Sequence, residues 1–317
     1  VSFSFLIRRI LGAIPLLFGI SLVLFTIIHL APGGPLDVYA DNPSVSPEAL
    51  EQIREAFGLD RPVPVQYVLW LRSMLVGDWG LSIRTGRPVL DEILTRLGPT
   101  MQLGGISMLL SFLVAVPLGI ISAARRGSRT DSTVTLAAFA GISLPVFWSA
   151  LLLQLVFSVW LGWLPSAGMK SIGDGSVSDR LLHLILPVTV LSLATIASWS
   201  RYIRSGMVDV LSQDYIRTAY AKGRREGSVI LRHALRNAMI PAVTVIAIDF
   251  VTIISGAVIT ETVFAWPGIG RLFVESMNGR DYPMLMGLMM MGSVGVVAAN
   301  IIADIVYATL DPRIRHG

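Results

Sequence analysis

ILGAIPLLFGISLVLFTIIHLA, residues Ile10–Ala31, contains no Asp, Glu, Lys or Arg, and as a helix it is long enough to cross a hydrocarbon core about 30 Å thick. Five further runs of this kind follow it: Met101–Ala124, Ser132–Leu164, Leu182–Ser200, Met239–Thr260 and Met284–Tyr307. The third is too long for a perpendicular span but offers no polar turn, so it reads as one tilted helix kinked at Pro145. Composition agrees. The chain is 53% hydrophobic and 15% charged, where soluble domains carry about 25% charge, and this excludes a soluble globular fold. The expectation is an all-α polytopic membrane protein, residues 1–317 forming a single domain with six transmembrane helices. Arg8 and Arg9 flank the first run as in a signal peptide. That run is long enough to span and lacks a small-x-small cleavage site, so it is expected to stay in the mature protein.

Charge sets the orientation. If both termini are cytosolic, the inner segments hold Arg8 and Arg9, Arg125, Arg126 and Arg129, the basic run from Arg201 to Arg236, and Arg313 and Arg315. That is most of the 25 basic residues, as the positive-inside tendency requires. The net charge of +4 is thereby explained without a nucleic-acid partner. With no cysteine, a disulfide framework, a thiolate zinc site and a cysteine nucleophile are all excluded.

Two connections are too long to be turns. Residues 32–100 form an outer cap with helix grammar: Ser46 as N-cap, Pro47, Glu48, then Leu50, Ile53 and Phe57 at helical spacing, and Gly58 as a stop. Gln66–Val76 and Val89–Leu97 continue it as amphipathic segments, serving either as structural capping or as a docking surface. On the cytosolic side, residues 201–238 read as two short helices separated by Gly223–Gly227. Asp214 lies in the first turn of one helix and Lys222 in its last, Gly223 is a left-handed stop, and Ser228 caps the next helix. A displayed helix pair of this kind suits attachment of another protein.

Within that loop, Asp214–Pro241 reads DYIRTAYAKGRREGSVILRHALRNAMIP. It resembles the coupling loop of ABC-importer permeases of the dipeptide/oligopeptide/nickel group. Arg217, Thr218 and Ala219 stand where the wider family has Glu-Ala-Ala, Gly223 matches the family glycine, and His233–Arg236 fall at the second element. The resemblance extends to Arg8–Pro35, GLDRPVPVQY from Gly58, GDWGLSIRTGRPV from Gly77, ETVFAWPGIGRLF from Glu261, Arg280–Pro283 and Asp311–Arg315. The long first outer loop is similar to that of the B-type permease.

This resemblance implies a type I importer fold with a helical extracytoplasmic cap, set in the inner (plasma) membrane among membrane lipid. It implies as partners a homologous C-type permease, two cytosolic ABC ATPase subunits and an extracytoplasmic substrate-binding protein. ATPase coupling would fall on Asp214, Arg217, Thr218, Ala219, Lys222, Gly223 and Arg224. The chain has no Walker A loop of its own, since Lys170 follows Met169 and Lys222 precedes Gly223. ATP and Mg would therefore sit on the ATPase partners, with no cofactor and no catalysis on this chain.

Asp249, near the middle of the fifth span, either lines the solute pathway or makes a structural hydrogen bond to a neighbouring span or to the partner permease. Asn300, Asp304, Tyr307 and Asp311 make a one-sided polar stripe suited to helix packing or to an inner gate. His29, His183 and Glu261 sit near the outer ends of spans, where hydration is expected, and the two histidines lack the ligand spacing of a metal site. Met284, Met286 and Met289–Met291 read first as adaptable packing, and Pro267-Gly268 as a tight turn with an aromatic anchor. Peptide import is the leading function, and import of nickel or another small solute by the same kind of complex is the alternative. A stand-alone channel or secondary transporter would not need the displayed loop. An intramembrane hydrolase is excluded by the absence of His-Glu-x-x-His and Gly-x-Ser-x-Gly.

Overall fold

The computed structural model describes residues 3–30, 46, 48, 51, 60–254 and 257–310. The expected cap helix from Ser46 to Gly58 lies outside these, apart from Ser46, Glu48 and Glu51, as do Asp311 and the Asp311–Arg315 motif. The helices in chain order are α1 (Phe3–Leu30), α2 (Val63–Leu75), α3 (Val89–Ala124), α4 (Arg129–Ser143), α5 (Val146–Leu153), α6 (Val177–Leu211), α7 (Asp214–Ala221), α8 (Leu235–Ile254), α9 (Val258–Val263), α10 (Ile269–Asn278) and α11 (Tyr282–Leu310). Among the described residues there is no strand, only one isolated bridge between Leu81 and Pro88. Four helices, α1, α3, α6 and α11, are long and apolar enough to cross a membrane, and the α4–α5 pair makes a fifth if counted as one broken span. α8 has 20 residues, or about 30 Å of helix.

α3 and α6 form the central pair, and the reason lies in α3. Its buried face repeats small residues every fourth position, Ser107, Ser111, Ala115 and Gly119, which lets the two backbones approach closely. A Cβ on Gly119 would lie 2.7 Å from Ile203 of α6. The serines cost little in this apolar setting, because Ser107 and Ser111 donate to carbonyls one turn back, at 2.8 and 2.7 Å, and Ser192 of α6 donates to the Ser107 carbonyl at 3.1 Å. α8 crosses α6 equally closely, since a Cβ on Gly206 would meet the Ala238 carbonyl at 2.7 Å.

Three expectations are corrected. The third run is not one kinked helix, for α4 and the helix that starts at Val146 diverge by 100°. Proline drives the preceding residue out of the α region, and Leu144 is extended at φ −83°, ψ 123°. The amphipathic segment Val89–Leu97 is not separate from the second span, because α3 runs unbroken through Pro99 to Ala124. Ser228 is not the cap of the second cytosolic helix. That helix starts at Glu226 after Arg225, and Ser228 lies inside it, followed by a π-helical turn, Val229–Ala234, leading into α8.

Candidate functional site

α7 is held to the bundle by one face. Ile216 is fully buried in a cluster with Trp199, Ile203 and Met207 of α6 and with Val229, Ala234 and Ala238, and Ala219 packs on its edge. Tyr215 adds a polar tether, its hydroxyl accepting from the Asn237 side chain of α8 at 2.8 Å. The opposite face is exposed. Asp214 and Arg217, 94% and 77% exposed, make only a 3.5 Å ion pair, and Thr218 Oγ1 donates back to the Asp214 carbonyl at 3.0 Å. Lys222 is the C-cap rather than a residue of the last turn, and Gly223 follows at φ +72°, the left-handed geometry that ends a helix. Its N–H donates to Tyr220 O, and that of Arg224 to Ala219 O. Lys222, Gly223 and Arg224 are all exposed. The loop is thus a short rigid helix, anchored on two sides and presenting Asp214, Arg217, Thr218, Lys222 and Arg224 outward.

Next to it lies an ion pair that sequence reading missed. Asp131 at the start of α4 takes the Arg204 guanidinium of α6 in a bidentate contact, at 2.7 and 2.8 Å. Ser122 Oγ and the Gly127 N–H also donate to Asp131. Four groups thereby fix the α3–α4 turn to α6 just before α7.

Asp249 of α8 is half-buried and accepts from Trp199 Nε1 of α6 at 2.6 Å, so a neighbouring span supplies one of its partners. Of the polar stripe, Asn300 is exposed and Asp304 pairs with Arg9 of α1 at 3.1 Å, while the Tyr307 side chain and Asp311 lie outside the described residues.

At the opposite end of the bundle, Glu261 corrects an expectation: it is not hydrated but has 0% exposure. Its carboxyl accepts from Thr100 Oγ1 at 2.7 Å and from the N–H groups of Gly270 and Arg271 at 2.7 and 3.1 Å, capping α10 from a distance. Burial holds its pKa above the ordinary value of 4.5, against these hydrogen bonds, which pull it down. Gly268 is required beside it, because a Cβ there would lie 2.3 Å from the carboxyl. Phe264 and Trp266, the aromatic residues just before the Pro267-Gly268 turn, are buried, and Trp266 donates to Pro99 O at 2.9 Å. Asp281, also fully buried, takes Ser82 Oγ at 2.5 Å and the Ile83 and Met284 N–H groups, binding residues 82–84 to the start of α11. His29 is engaged by Gln66 and Phe25 O, and His183 by Asp179. Among the described residues no three His, Asp or Glu side chains converge as a metal site.

A family model described as binding-protein-dependent transport system inner membrane component matches residues 115–316, and its N-terminal companion matches residues 2–104. The chain belongs to this family. The permease is similar to the oligopeptide transport system permease protein AppB of Bacillus subtilis (strain 168), 44% identical over 315 residues and covering 99% of each chain. It is 36% identical over 335 residues to the dipeptide transport system permease protein DppB of Escherichia coli (strain K12), again over 99% of each chain. It is 40% identical over 313 residues to the glutathione transport system permease protein GsiC of Escherichia coli O1:K1 / APEC, over 99% of each chain. In fold it matches a chain of the inward-facing MetNI methionine ABC transporter with TM-score 0.56 at 14% identity, covering 69% of this permease and 96% of that chain. The expected type I importer fold is therefore the fold observed.

Proposed function

We propose that this permease imports di- and oligopeptides as the B-type subunit of an ATP-driven complex. The observation that carries the cargo is its end-to-end similarity to permeases named for oligopeptide, dipeptide and glutathione transport, the last itself a tripeptide. None of these three names nickel, so peptide is preferred to the metal alternative. A second, C-type permease completes the pathway, a substrate-binding protein delivers cargo outside, and two ATPase subunits supply energy with ATP and Mg. α7 lies in a groove of one ATPase through Asp214, Arg217, Thr218, Lys222 and Arg224, with Ala219 and Gly223 shaping the helix. Because Ile216 and Tyr215 tie α7 to α6 and α8, motion of the ATPase reaches those helices as rigid-body displacement.

Asp249 is the candidate pathway group. Trp199 orients one carboxyl oxygen of a side chain that is half-buried, and a peptide's amino group is its natural counter-charge. Both termini are cytosolic in this reading. The deciding experiment is uptake of labelled peptides by cells whose only peptide permease of this type is the present chain, assayed with its own partner subunits. Peptide uptake that requires ATP supports the proposal, and nickel uptake without peptide uptake refutes it. Labelling of Ser44→Cys from the cytosolic side alone would refute the orientation.

A further inference from the structure

A groove runs between α1 and α11 that the transport reading does not use. Its deeper part, of about 690 Å³, is walled by Leu16, Ile20 and Leu24 of α1 and by Leu288, Gly292 and Gly295 of α11, and also by residues of α3, α9 and α10 such as Met101, Val258 and Phe273. Beside Gly292 the wall is open: a Cβ there would meet nothing within 4 Å. A second part, of about 460 Å³, continues it to the Arg8–Arg9 end, sharing Leu16, Val297 and Asn300 with the first. The mouth there is polar, lined by Arg8, Arg9, Asn300 and Asp304.

Among the described residues, charge at that mouth does not cancel. Arg9 is paired with Asp304 at 3.1 Å, whereas Arg8 is exposed and adds one further cation beside the Asn300 amide. From Arg8 to Leu24 the helix rises about 24 Å, long enough to take an extended acyl chain within a bilayer core about 30 Å thick. A long apolar slot, closed at its end by an arginine in excess of the acids among the described residues, is complementary to a molecule with one anionic head and an extended hydrocarbon tail. We propose that this groove is a binding site for an anionic phospholipid of the surrounding bilayer, its phosphate at Arg8 and Asn300 and an acyl chain laid over Gly292. A helix of another subunit would fill the apolar slot but leave the Arg8 charge unanswered. The site rests only on insertion of the permease in the membrane, so its failure and failure of the peptide reading are distinguishable.

The test uses the full transporter in membranes containing phosphatidylglycerol or phosphatidylcholine with a photoactivatable acyl chain, with labelled positions mapped by mass spectrometry. Phosphatidylglycerol is expected to label α1 and α11 along the groove, with phosphatidylcholine labelling weaker there. Arg8→Gln should reduce the phosphatidylglycerol signal about fivefold and Arg8→Lys should restore it, since one cation near the interface is all that is removed. Gly292→Leu, which puts a side chain into that open space, should abolish labelling by either lipid. Equal labelling by the two lipids, unchanged by Arg8→Gln, would overturn the proposal. So would efficient disulfide capture of Ile20→Cys by a cysteine on another subunit, which is a clean assay in a chain without native cysteine.

Discussion

The two ends of the bundle handle charge in opposite ways. At the α10 end, Glu261 and Asp281 are fully buried and spend their oxygens on backbone N–H groups of their own chain. At the α7 end, Asp214, Arg217, Lys222 and Arg224 stand in solvent with little or nothing of their own chain to hold. Buried carboxylates that satisfy backbone donors fix a shape before any partner arrives. Exposed charges on an anchored helix contribute little to folding and remain available for recognition. One end is finished within this chain, and the other is presented outward. The exception sharpens the contrast: the Asp131–Arg204 pair sits at the α7 end but is packed like the other end, and it braces the helix from which α7 emerges.

That contrast can be broken by mutation. The largest effect is expected for Arg204→Leu, which strands the buried Asp131 carboxylate. Because Arg204 is itself 30% exposed, the loss should be near the low end of the range for broken buried pairs, about 3 kcal/mol, read as lower thermal stability and yield of the complex. Loss below about 1 kcal/mol would mean that the brace is not structural.

Glu261 gives a smaller, pH-dependent effect. Its pKa is raised in the folded chain, so the folded state holds its proton more tightly, and this contribution to stability is complete below 4.5 and lost as pH rises through the raised value. Thermal unfolding followed across that window should show the decline, and Glu261→Gln should flatten it. An identical slope in the variant would show that Glu261 is not responsible.

Ala265, whose φ of 48° is costly for a residue with a Cβ, lies in the same turn. Ala265→Gly should stabilise the complex by about 1 kcal/mol, seen as a small rise in melting temperature, and a fall would mean that the methyl group packs favourably. The smallest change in stability belongs to Asp214→Ala. The exposed pair with Arg217 should contribute under about 0.5 kcal/mol, so unfolding should be unaltered while affinity for the ATPase weakens. Unaltered affinity would take Asp214 out of the docking surface.

How much of this was legible in the sequence depended on whether the deciding partner was local. α7, its Gly223 stop and four of the apolar runs, those within α1, α3, α6 and α11, follow from residues within one or two turns, and the structure agrees with the reading there. The 100° break before Pro145 was equally local and was missed, because the absence of polar residues was weighed above the restriction proline places on Leu144. The small-residue stripe of α3 was also open to reading at its four-residue spacing. Glu261 was not. Its burial depends on Thr100, 161 residues away, and on α10 folding back over it, so its place at the end of a hydrophobic run suggested water instead. Asp131 and Arg204 lie 73 residues apart and each passes in sequence for an ordinary interfacial charge.

The central claim is that α7 transmits ATP hydrolysis, and Gly223→Pro tests it most directly. Gly223 sits at φ +72°, whereas proline holds φ near −65°, so the variant must reshape the end of α7 while the membrane helices are left alone. In the assembled complex reconstituted in lipid, the ATPase rate is measured with and without peptide-loaded binding protein. Loss of the stimulated rate at normal assembly is the predicted result, and full stimulation in that variant would contradict the account.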